Sequence, residues 1–106
     1  MSRTAARTDV NQPEIVKALR GVGATVQILA KVGQGCPDLL VGFRSANLLM
    51  EVKNGAAIPS EKRLTEDQEE WHANWAGSVF VVESVYDALV VLKEISGLRR
   101  ITEQPY

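Results

Sequence analysis

Two short apolar segments, 38–43 and 48–53, are separated only by Arg44–Asn47, and this spacing constrains the fold more than any other feature of the chain. Four residues of that type read as a turn, so the pair is expected to be an antiparallel hairpin. Side chains on a strand alternate between faces. Leu48, Met50 and Val52 therefore share one face, while Leu49, Glu51 and Lys53 share the other, and two ionised groups stand on an otherwise apolar strand. With a four-residue turn, Phe43 would pair with Leu48, which sets Leu40 opposite Glu51 and Asp38 opposite Lys53. Asp38 and Glu51 would then be diagonal neighbours, about 7–8 Å apart at the backbone. A slip of one residue would send Asp38 to the opposite face.

The hairpin sits inside a simple succession of elements. Asn11 reads as a helix cap and Pro13 suits a first turn; Ile15, Val16, Leu19 and Val22 form an apolar stripe ending near Gly21 and Gly23. Thr25–Ala30 reads as a strand, and Gly33, Gly35 and Pro37 break the chain before the hairpin. The segment 54–62 is expected to be a surface loop. Thr65 followed by Gln68 is a capping-box pattern that opens a helix running through Trp71 and Trp75 to Gly77. Ser78–Val82 reads as a buried strand. Ser84 can cap a last helix carrying Val85, Leu89 and Leu92, with Gly97 at its end and 98–106 as a loose tail. The expected order is α-β-β-β-α-β-α.

Composition narrows the function. A chain of 106 residues, 45% apolar and without repeats, is expected to be one domain (1–106) with a core at about 9–97. No apolar run approaches the roughly 18 residues of a membrane span, and the polar start lacks a secretory leader, so no membrane partner and a cytoplasmic location are expected. One Cys and one His exclude a typical zinc site of three or four such ligands. Twelve basic against thirteen acidic residues do not advertise a polyanion partner, although Arg3, Arg7, Lys17 and Arg20 cluster near the start. Such a cluster also suits a solvated face.

Two carboxylates held together on a sheet repel one another unless a cation joins them. Lys53 offsets part of that cost, and a hard divalent ion such as Mg²⁺, which favours a few carboxylates plus water and phosphate oxygens, would offset the rest. Such an ion activates water and neutralises charge on a phosphodiester under attack, while Lys53 could position the water or stabilise the phosphorus centre. A plainer reading makes Asp38 a turn residue and Glu51 with Lys53 an exposed ion pair. Alternation alone leaves both readings open.

Gly35-Cys36-Pro37-Asp38 followed by Glu51-Val52-Lys53 resembles the motif of the PD-(D/E)XK nuclease superfamily. With Asn11-Gln12, Leu64-Thr65-x-x-Gln68 and Gly77, the succession over about residues 9–90 resembles the virus-type replication-repair nuclease (VRR-NUC) family. The resemblance implies an α/β, restriction-endonuclease-like core with a mixed central sheet flanked by helices. It implies a Mg²⁺- or Mn²⁺-dependent DNA endonuclease in which Asp38, Glu51 and the main-chain carbonyl of Val52 bind the metal and Lys53 is catalytic. Glu14 on the first helix would complete the metal site, although a first-turn Glu also suits the helix dipole. Gln68 would face the active site, although it also fits as the capping partner of Thr65. Trp71, His72 and Trp75 read as packing and surface residues, and Cys36 as a small buried one. Free-standing family members, and the similar archaeal Holliday-junction resolvases, are homodimers. The resemblance thus points to branched or duplex DNA as substrate and to a phage or mobile-element origin. The alternative is a catalytically silent nucleic-acid-binding or assembly module of the same fold.

Overall fold

The computed structural model describes residues 10–102. Its elements are α1 (Gln12–Gly21), β1 (Thr25–Ile28), β2 (Leu39–Phe43), β3 (Ala46–Val52), α2 (Pro59–Lys62), α3 (Glu66–Asn74), β4 (Val79–Val82) and α4 (Val85–Thr102). The four strands form one sheet in the order β1-β2-β3-β4. The first three are antiparallel, and β4 runs parallel to β3. A parallel neighbour needs a crossover connection, and 53–78, carrying α2 and α3, supplies it.

Alternation sorts the strands as the sequence requires. Leu39, Val41, Leu48, Met50, Val52 and Val82 point to one face and are buried against Ile15 and Leu19 of α1 and Ala88 and Leu92 of α4. Each such side chain contributes about 1.5–3 kcal/mol by leaving water. The other face carries Leu40, Leu49, Glu51 and Val81. It is only partly covered by α3, none of whose residues is fully buried, and Leu40 and Val81 remain exposed.

The hairpin register differs from expectation. Only Arg44 and Ser45 form the turn, both at positive φ (52° and 69°), so β3 begins at Ala46 and Phe43 pairs with Ala46 rather than Leu48. The register is shifted by two residues, which preserves every side chain's face. Leu40 stands opposite Leu49, and continuing the pairing from Leu39–Met50 brings Asp38 level with Glu51 rather than with Lys53. Three further differences are local. Pro59–Lys62 forms a one-turn helix inside the expected loop. α4 continues through Gly97 to Thr102, where a stop and a tail were expected. Asn11 makes no side-chain cap bond. The Ser84 cap does form, with Ser84 Oγ accepting from the Asp87 N–H and Asp87 Oδ2 from the Glu83 N–H. Arg3 and Arg7 lie outside the described residues.

Candidate active site

The hairpin sets the two acids. Asp38 directly precedes β2, where its carbonyl accepts the Leu29 N–H at 2.7 Å and its Oδ2 accepts the Val52 N–H at 2.8 Å. The carboxylate thereby reaches across to the end of β3. Glu51, on that strand, is 2% exposed, and Lys53, one residue beyond it, is 9% exposed. Burying either charge is costly unless it is hydrogen-bonded, and a single amide serves both. Gln68 Nε2 donates to Glu51 Oε2 at 3.0 Å, while Gln68 Oε1 accepts from Lys53 Nζ at 2.8 Å.

Gln68 is also the capping partner. Its Oε1 accepts the Thr65 N–H at 2.9 Å, and its own N–H donates to Thr65 Oγ1. The two readings open for this residue are therefore one arrangement, in which the capping box fixes the amide that spans Glu51 and Lys53. The loop before Asp38 secures the same helix. Gly35 has φ +85° and lies so close to α3 that a Cβ there would collide with the Asp67 carbonyl. Glycine at this point of the Gly35-Cys36-Pro37-Asp38 segment lets the loop that delivers Asp38 touch the helix that delivers Gln68.

Two residues read as structural stand in or beside the site. His72, one turn after Gln68, places Nε2 3.9 Å from Glu51 Oε1 with its side chain 13% exposed. Burial, and then the charge of Lys53, push its pKa below the ordinary imidazole value. Its i+4 spacing from Gln68 was the signal that puts it on the same helix face. Asn11 spends its side chain on long-range bonds, with Nδ2 donating to the carbonyls of Lys53 (3.0 Å) and Glu83 (2.9 Å). It ties the start of α1 to the ends of β3 and β4, and an Asn ahead of a helix carries no sequence mark of that use. Cys36 is half-buried, and its thiol is pushed up by burial and then by Glu51 and Asp38, so the field of both acids reaches it. Glu14 is exposed in the first turn of α1. Trp71 and Trp75 stack with ring centroids 4.6 Å apart and line a cleft with Leu40 and Leu49.

No family model matches the chain, and no curated protein matches it. Among solved structures it is similar to one described as a VRR_NUC domain, with a TM-score of 0.59 and 26% identity, covering 77% of this chain and 89% of the other. The chain has a VRR-NUC-like fold, that of a nuclease-type domain: a four-stranded mixed sheet flanked by helices. Among the described residues no helix is long and apolar enough to cross a membrane.

Proposed function

We propose that this domain is a Mg²⁺- or Mn²⁺-dependent endodeoxyribonuclease acting through Asp38, Glu51, Lys53 and Gln68. The observation that carries the reading is the buried Glu51 and Lys53 joined through one amide, with Asp38 level with Glu51. Such an arrangement is costly to the fold and has no packing purpose that apolar residues would not serve better.

The donors suit a hard divalent ion. Among the described residues no three His, Cys, Asp or Glu side chains are grouped closely enough to hold a metal. A cation here would rest on the two carboxylates and the Val52 carbonyl, with water and substrate oxygens completing the shell, the sparse protein set that Mg²⁺ and Mn²⁺ accept. When bound, such an ion supplies charge neutralisation at the phosphodiester and a more acidic water. Glu14, exposed on α1, would reach it through a water at most.

The chain's own groups do the rest. Gln68 fixes the Lys53 ammonium through Oε1 and leaves its remaining N–H donors for a phosphate oxygen, so the charge developing on phosphorus meets a pre-oriented cation. The same amide holds Glu51 by Oε2. Asp38, held by the Val52 N–H, stays beside the end of β3. Branched DNA, including four-way junctions, is the preferred target in this reading, cut by a two-fold homodimer that presents one site to each of two strands.

The test is incubation of the protein with supercoiled plasmid and a synthetic four-way junction in Mg²⁺, Mn²⁺ or EDTA, beside Glu51→Gln and Lys53→Ala. Expected is metal-dependent cleavage that both variants lose, with paired cuts at the junction. DNA binding without cleavage in either metal would replace the enzyme by a silent binding module.

A further inference from the structure

We propose that the groove between α1 and the edge strand β1 is a track for the phosphodiester backbone of the nucleic acid flanking the scissile bond. This rests on the nuclease reading above and adds to it where the substrate lies.

The groove is lined by Gln12, Val16, Lys17, Arg20 and Ile28. Gln12 is the unusual member. It is 3% exposed, and its side chain, which has no hydrogen bond within the described residues, forms part of the groove wall. Its amide nitrogen is a donor that a ligand oxygen in the groove can use. Lys17 and Arg20 stand exposed beside it, and among the described residues neither is in an ion pair. Arg20 donates one N–H to the Val26 carbonyl, which holds its guanidinium over β1. Lys62, by contrast, is already engaged with Glu83 at 3.2 Å.

The track leads to the site. Ile28 is shared with a second depression lined by Leu29 and the exposed Lys31, and the Leu29 N–H donates to the Asp38 carbonyl. Three cations therefore follow the β1 edge towards Asp38. The opposite approach is closed by charge, because Glu66, Asp67, Glu69 and Glu70 are all exposed on α3. A polyanion entering the site is repelled on the α3 side and attracted on the α1–β1 side, even though the chain's net charge is only −1.

The experiment is fluorescence anisotropy of labelled duplex and four-way-junction DNA against salt concentration, in EDTA and again in Ca²⁺. It compares the full chain with Lys17→Gln, Lys17→Gln/Arg20→Gln, Gln12→Leu and, as control on α4, Lys93→Ala. Each lost phosphate contact flattens the plot of log affinity against log salt by about 0.9. The expected slopes are shallower by about one for Lys17→Gln and about two for the double variant, and unchanged for Lys93→Ala. Gln12→Leu should weaken binding roughly two- to tenfold with no change of slope, as loss of an uncharged hydrogen bond does. Wild-type slopes in both lysine and arginine variants would overturn the track while leaving the nuclease reading standing. Failure of the unmodified chain to bind either DNA in either buffer would overturn that reading and the track with it.

Discussion

A single side chain in the site often has two duties, and substitutions must separate them. Asp38 carries charge, but it also satisfies the Val52 N–H at 2.8 Å. Asp38→Ala leaves that donor unpaired and should cost about 1–3 kcal/mol in urea unfolding. Asp38→Asn keeps an acceptor and should lose little stability while losing cleavage, so the pair distinguishes fold from chemistry. Cys36 offers a second probe. Its thiol is pushed up by burial and by Glu51 and Asp38, so its proton is held in the fold at pH values where the unfolded chain has released it. The sign follows: this contribution is complete below the unfolded pKa of about 8.5 and is lost as pH rises past it towards the folded value. Alkylation of Cys36 at pH 8 should be slow and should quicken in Glu51→Gln or when Mg²⁺ is added, since either removes negative charge nearby. Equal rates with and without these changes would mean the acids do not reach the thiol.

Elements were legible from the sequence to different depths, for physical reasons. Face assignment followed from alternation alone, and because Glu51 and Lys53 share parity, a two-residue shift left both on the α3 side. Register was not legible, because it depends on the turn, and Arg44 and Ser45 adopt positive φ without the glycine or asparagine that marks such turns. Ser45→Gly should therefore stabilise the protein, by up to about 1 kcal/mol in thermal unfolding, by relieving that backbone. The candidate site was legible where motif and parity agreed, at Asp38, Glu51 and Lys53. It was not legible at Asn11, whose bonds to the Lys53 and Glu83 carbonyls join residues far apart in the chain. Gly35 shows the coupling of elements most directly: Gly35→Ala forces φ +85° on a side-chain-bearing residue and drives its Cβ into the Asp67 carbonyl. It should cost about 1–3 kcal/mol and, by moving α3, lower turnover by more than the stability loss explains; unchanged turnover in the folded variant would detach α3 from catalysis.

At the scale of the whole molecule, Glu51 and Lys53 are buried and Asp38 half-buried at one end of the sheet, so in the proposed reading metal binding and stability should be linked. At a concentration one hundred times Kd, a bound ion stabilises by about 2.7 kcal/mol, and for a domain near 100 residues each kcal/mol raises Tm by about 4–8 °C. Mg²⁺ or Mn²⁺ should raise Tm of the wild type and leave that of Glu51→Gln almost unmoved; an equal rise in both would place the ion elsewhere. The parallel pairing of β4 with β3 has a temporal consequence. Asp38, Glu51 and Lys53 are brought together within one hairpin, a short closure that a chain leaving the ribosome can complete early. Gln68 comes on the crossover, and the Val82 carbonyl that accepts the Lys53 N–H arrives later still. A nascent chain that has emerged only through the hairpin holds both acids and the lysine but lacks the amide that organises them, so the proposed cleavage would wait until the crossover and β4 have also been made.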